Sequence, residues 1–237
     1  MTQPTRRPAV PLIVASVLAA LATTLLTGCG GGSDGGPGAP DVALAEAKSQ
    51  LDDTPGVKLS LSTDELPDGV DGLLKATGVG THAPAFEGTV VLQVAQLSLD
   101  VPVVAVDGVV YAQLPFTTGY SDVDPAEYGA PDPAQLMDPA AGISSWLEHA
   151  TGVEKGDRVR DGDAVLTAYA GTLPGETVAA TIPSADESSD FPVTFRLTDD
   201  GQLASVEVSG PFYGDAGDVD YTVDLSDYGT DKDITAP

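Results

Sequence analysis

Along most of this chain apolar and polar side chains alternate with a period of two, the pattern of strands with one buried and one wet face. Val57, Leu59 and Leu61 alternate with Lys58, Ser60 and Ser62. Leu73 to Thr81 predicts an irregular strand, because Gly72 and Gly78 weaken a helix there. After Pro84 the segment Phe86 to Val94 puts Val90, Leu92 and Val94 on one side. Leu97, Leu99, Val101, Val103 and Ala105 follow on one face with Ser98 and Asp100 opposite, and Asp107-Gly108 predicts a two-residue hairpin into Val109 to Leu114. The second half repeats the theme in Ala164 to Ala170, Thr177 to Ile182, Phe191 to Thr198, Leu203 to Ser209 and Val219 to Leu225. Phe191, Val193, Phe195 and Leu197 share one face, as do Val219, Tyr221, Val223 and Leu225; Asp200-Gly201 predicts a second hairpin turn of the same chemistry. Roughly ten short strands with few helices predict a large antiparallel sheet or barrel.

Two segments carry the helical period instead. Asp41 to Asp52 sets Val42, Leu44, Ala47 and Leu51 among Glu46, Lys48 and Gln50, with Asp41 as N-cap and Thr54-Pro55-Gly56 as a stop. Asp138 before Pro139 predicts an N-cap with proline at the first helical position, and Gly152 an end. Between them Ile143, Trp146, Leu147 and Ala150 form one stripe, so this helix covers something apolar. Thr117 to Asp138 predicts a long ordered loop with one helical turn at Ala134 to Met137.

The first forty residues follow a different logic. Arg6 and Arg7 precede the uncharged apolar run Pro11 to Leu26, the layout of a cleaved export signal, too short for a permanent span. The twin arginine leaves the export route open. Leu26-Thr27-Gly28-Cys29 resembles a bacterial lipobox, which implies cleavage before Cys29 and a lipid on its thiol. Gly30 to Pro40 is nearly all Gly, Ser, Pro and Asp, a tether spanning roughly 15–20 Å as a coil. The expected division is a signal peptide over 1–28, lipidated cysteine and tether over 29–40, and one domain over 41–237.

Composition narrows the partners. Losing Arg6 and Arg7 with the leader leaves eight of the ten basic residues against all 36 acidic ones, a formal charge of −28. Such a polyanion repels phosphates, which excludes nucleic acid as a partner. The 42% hydrophobic content, arranged in alternating runs, sets the chain apart from acidic disordered sequences. The single cysteine belongs to the anchor, leaving no disulfide, redox pair or thiolate metal site.

Candidate chemistry is sparse. His82 and His149 sit in no metal-pair spacing and read as surface residues. No nucleophile elbow, phosphate loop or zinc-protease helix occurs. Asp161-Gly162-Asp163, Asp199-Asp200-Gly201 and Asp218-Val219-Asp220 lack the continuation of a calcium loop and read as turns and strand ends, so neither metal nor cofactor is expected. What remains is a surplus of one-sided apolar strands. Periodicity alone favours an ordinary packed core over a cavity.

Three stretches shift that balance: Val106-Asp107-Gly108-Val109-Val110-Tyr111-Ala112-Gln113-Leu114, Asp132-Pro133-Ala134-Gln135-Leu136 continuing through Asp138-Pro139 to Gly142-Ile143-Ser144, and Asp227-Tyr228-Gly229 to Ile234-Thr235-Ala236-Pro237. They resemble the LppX/LprAFG family of actinobacterial lipoproteins, and the resemblance runs from about Asp41 to Pro237. It implies an α+β fold, a curved antiparallel half-barrel whose concave face carries helices over an apolar cavity. It also implies a non-enzymatic carrier, anchored at Cys29 on the extracytoplasmic face of the cell membrane. Such a carrier binds multiply acylated lipids or glycolipids, in some members beside an export pump of the major facilitator type. Val90 falls in the strand whose inward residues line the family's cavity. The expected wall is therefore Val90, Leu92, Leu99, Val101, Phe195 and Val223 beneath the helix bearing Ile143, Trp146 and Leu147. The alternative is a surface lipoprotein acting as a structural or signalling module; an enzyme ranks last.

Overall fold

The computed structural model describes residues 39–237 apart from Gly129 and Asp163. The expected signal peptide 1–28, lipidated Cys29 and nearly all of the tether lie outside the described residues.

Among the described residues eleven strands form one antiparallel, unclosed sheet. One wing runs outward from β1 (Gly56–Ser62) through β2 (Gly72–Thr81), β3 (Ala85–Val94), β4 (Leu97–Val106) and β5 (Val109–Ala112) to β6 (Ser121–Val123) at the edge. The other runs inward from the edge strand β7 (Thr151–Asp161) through β8 (Ala164–Pro174), β9 (Asp190–Thr198) and β10 (Leu203–Gly210) to β11 (Val219–Ser226). The two meet where the first strand pairs with the last, Leu61 opposite Val223. Each wing is a meander that local hairpins can build; the seam joins distant parts of the chain.

Directly opposed residues of antiparallel strands share a face. The register therefore draws one apolar row across eight strands: Val101, Val90, Ala76, Leu61, Val223, Val206, Phe195 and Tyr169. All but the half-buried Val90 are buried. Three helices complete this inner side: α1 (Pro40–Asp53), α2 (Ile143–His149) and α3 (Gly175–Thr181). They bury Leu44, Ala47 and Leu51, then Ile143, Trp146 and Leu147, then Val178, in one cluster with the strand residues. The indole nitrogen of Trp146 donates to Thr181 Oγ1 at 2.9 Å, and that hydroxyl donates to the Ala141 carbonyl at 2.6 Å. This relay satisfies the buried N–H and fastens α2 to α3.

The α+β sheet agrees with the expectation; several boundaries differ. Helix α2 starts at Ile143, not Pro139. The Asp138 carboxylate caps a turn instead, accepting from Ala140 N at 2.7 Å and Ala141 N at 2.9 Å, while the Gly142 N–H bonds the Asp138 carbonyl. Gly152 does not end the helix but lies in β7 with φ +60°. Thr177 to Ile182 is no strand: Gly175–Thr181 is helical, with Val178 and Thr181 buried at a helical spacing of three. The Asp107-Gly108 turn has positive φ at both residues, as expected of a two-residue hairpin. At Asp200-Gly201 only Gly201 does; Gly201 N donates to Thr198 O and a bulge follows before Ser205, so this loop is longer.

The C-terminal segment crosses the outer face of the β1–β5 wing. Gly229 N donates to Thr54 Oγ1 at 2.7 Å, Lys232 Nζ lies 3.0 Å from Glu87 Oε2, and Ile234 is buried against Ala85 and Val104. His82, half-buried, places Nε2 2.8 Å from the Leu51 carbonyl and ties the β2–β3 link to the end of α1.

Candidate functional site

The inner row is filled on one wing and hollow on the other. Over β8 to β11 the space is taken by Phe191, Phe195, Phe212 and Trp146, all at most 1% exposed, with Phe212 edge-on to both Phe191 and Tyr221. Over β1 to β5 the inner strand residues other than Phe86 are smaller, and an apolar pocket of about 80 Å³ remains. Its floor is Leu61, Leu73 and Ala76 with Val90, Leu92, Val101 and Val103; Val110 and Ala112 of β5 and Leu114 just beyond it extend it.

The roof is none of the three α-helices. It comes from the chain after β6, with Ala130, Pro131, Pro133 and Leu136 facing the floor, and Val123 and Pro125 closing the side. A short 3-10 helix, Pro133–Met137, forms here because Asp132 accepts from Ala134 N at 2.9 Å. The prolines fix φ and bring no N–H, so they cover apolar space without an unmet donor. Every lining residue is Leu, Val, Ala or Pro. With no titratable group in its wall the pocket holds no acid, base or nucleophile; what it can do is exclude water from an apolar ligand.

Of the nine residues expected in a cavity wall, Val90, Leu92 and Val101 line this pocket. Leu99, half-buried opposite Leu92, packs on the core without lining it. Phe195 and Val223 share the row but stand in the filled wing, and Ile143, Trp146 and Leu147 pack with α1, α3 and β8. The lining residues outside that expectation are Leu61, Leu73, Ala76 and Val103 in the floor, Val110, Ala112 and Leu114 beside them, and the whole roof and side. The roof's signal was the spacing Pro131-Asp132-Pro133 before the apolar pair Leu136-Met137.

Where β2 begins, two tyrosines fix Leu73. Tyr221 donates its hydroxyl proton to the Leu73 carbonyl at 2.7 Å, the Leu73 N–H donates to Tyr213 Oη at 3.2 Å, and the hydroxyls lie 2.7 Å apart. Burial pushes the Tyr221 hydroxyl pKa far up, so it stays protonated. The ring of bonds pins the bulge between Leu73 and Lys75. Beyond Leu114 the chain turns through Pro115-Phe116, with Thr117 N donating to Leu114 O; Phe116 has φ +69° and a wholly exposed ring. Among the described residues no His, Cys, Asp and Glu cluster is set for a metal, and no helix is long and apolar enough to cross a membrane.

Known proteins share this fold. The chain is similar to the lipoarabinomannan carrier protein LprG of Mycobacterium tuberculosis (strain ATCC 25618 / H37Rv), 27% identical over 230 residues that cover 94% of each chain. The same figures hold for the protein of that name in Mycobacterium bovis (strain BCG / Pasteur 1173P2). Among solved structures, LprF from Mycobacterium bovis superposes with a TM-score of 0.66 at 13% identity, covering 84% of this chain and 96% of that one. LppX from Mycobacterium tuberculosis gives 0.60 at 16% identity, covering 83% and 98%. The description LppX_LprAFG lipoprotein matches residues 39–235, nearly the whole described domain. By sequence and by fold alike, the chain belongs to the LppX_LprAFG lipoprotein family.

Proposed function

We propose that this protein binds an acylated lipid or glycolipid by its hydrocarbon part in the β1–β6 pocket and carries it across the cell envelope, without enzymatic turnover. The observation that carries the reading is the asymmetry of the inner face. One register row is close-packed over β8 to β11 and hollow over β1 to β4, where only carbon side chains line the space. The pocket's 80 Å³ is far below the several hundred that ligand sites occupy, so loading lifts the proline-rich roof. Similarity to proteins named lipoarabinomannan carriers supports an acylated cargo. The lipobox supports a diacylglycerol anchor on Cys29, with burial of each methylene worth about 0.8 kcal/mol, and a major facilitator export pump is the proposed partner. The test is to purify the protein gently from membranes, extract it with organic solvent and identify the extract by mass spectrometry. A carrier yields non-covalent lipid in near-stoichiometric amount. A protein that yields none is a surface module and the reading is wrong. Intact mass reports the anchor: a free thiol at Cys29 removes that part of the proposal.

A further inference from the structure

Next to the pocket the inner face carries glycine where its neighbours carry side chains. Gly78 of β2 lies directly opposite Gly88 of β3, one inner-face step from Ala76 and Val90 in the pocket floor, and Gly88 in turn opposes the pocket residue Val103. Two facing glycines in the interior of two central strands weaken the sheet unless something needs the space above them. Here the ring of Phe86, which is 1% exposed, takes part of that space. A methyl group on Gly78 would come within 2.5 Å of Phe86 Cζ and closer still to the Glu87 carbonyl oxygen, and one on Gly88 within 2.7 Å of Phe86 Cζ and closer still to the Thr77 carbonyl oxygen, so ring and backbone together exclude a side chain. Gly80 repeats the arrangement beside them: a methyl group there would meet Met137 Cγ at 2.8 Å, and Met137 follows the roof residue Leu136. The glycines thus floor a trough next to the pocket in the register, and Phe86 with Met137 occupies it. In the register row of Phe86, across Ala105, Val110 of β5 already lines the pocket.

We infer that Phe86 is the stop that sets how long an acyl chain the pocket accepts, its ring standing in the glycine-floored trough where the chain's terminal carbons would otherwise run. This rests on the lipid-binding reading above and adds a specificity-determining residue to it. The shape of the site explains why an aromatic suits the role: the far end of a long, flat ring reaches the bare backbone at both glycines. Leucine at this position occupies less of the trough and keeps the core apolar; tryptophan occupies more.

The experiment uses the full chain and its Phe86→Leu, Phe86→Ala and Phe86→Trp variants, each first shown folded by circular dichroism. A ladder of saturated fatty acids from short to very long is competed against one fluorescent acyl probe. The expected result is a length optimum in the wild type that moves to longer acids in Phe86→Leu, moves further in Phe86→Ala by about two to four carbons as the deleted ring leaves a cavity, and moves to shorter acids in Phe86→Trp. If the alanine variant does not fold, the opposed shifts of the leucine and tryptophan variants carry the test. Folded variants that bind with the wild-type optimum overturn the inference alone and leave Phe86 a cover for two glycines. A wild type that binds no acid of any length overturns the lipid-binding reading and this inference together.

Discussion

Val90 and Val223 are the same residue type on the same register row, separated only by Ala76 and Leu61, yet one borders the hollow and the other the filled wing. Replacing each by tryptophan separates a ligand space from a core. The change adds seven heavy atoms, roughly 90 Å³ at protein packing density, against a pocket of about 80 Å³ beside Val90. Val223 is 1% exposed and has no such space. At Val223 overpacking costs about 1–3 kcal/mol or more, which in a domain of this size lowers Tm by about 2–4 °C per kcal/mol. At Val90 the indole fills the void, so the expected change in stability is under about 1 kcal/mol while bound lipid is lost. The assay pairs calorimetry of delipidated protein with lipid mass spectrometry of protein as isolated. Equal destabilisation by Val90→Trp and Val223→Trp, or an undiminished lipid load in Val90→Trp, refutes the assignment of Val90 to a ligand wall.

Thr181→Val removes the hydroxyl between Trp146 and Ala141 and strands a buried indole N–H and a carbonyl; urea unfolding should show a loss of about 2 kcal/mol. Phe116→Asn relieves a left-handed backbone that costs a bulky residue about 1–2 kcal/mol and forfeits no packing, since the ring is wholly exposed; Tm should rise by a few degrees, and a fall means the ring has a partner in the native protein. The Asp224 carboxyl pKa is raised, first by desolvation and then by Asp161 and Glu207, against the pull of Arg196. The folded state therefore holds that proton more tightly than the unfolded chain, and stability falls as pH rises from the ordinary carboxylate value through the raised one. Asp224→Asn should accordingly raise Tm at neutral pH, with the gain vanishing in acid, as a pH series of thermal melts will show.

The strands that buried one face and wetted the other were legible, because a period of two in Val57, Leu59 and Leu61 or in Phe191, Val193, Phe195 and Leu197 has one structural meaning. Edge strand β7 was not. Thr151–Asp161 is exposed along nearly its whole length, so no apolar phase marks it. Thr177 to Ile182 fits either period over six residues, and the helix is settled by the packing of Val178 and Thr181. Asp138-Pro139 carries the chemistry of a helix cap, yet the same carboxylate geometry caps a tight turn. The site was half legible. Alternation put Val90, Val101, Phe195 and Val223 on one face, and the register confirms it. It could not tell filled from hollow, since that depends on what stands above each wing: aromatic side chains and helices on one, a proline-rich roof on the other.

The pairing of the first strand with the last has a consequence in time. Leu61 meets Val223 across most of the domain's length, so the seam is the contact of highest sequence separation in the sheet and carries the largest loop-closure entropy. Each meander can condense as soon as its own strands are available, but β1 keeps an open edge until residues 219–226 arrive. The wing with the pocket is thus joined to the packed wing last, after the chain is almost wholly delivered. Mutations that weaken the seam should therefore slow folding in proportion, and a chain cut before β11 leaves two unfinished sheets, each with a long hydrogen-bonding edge exposed to aggregation.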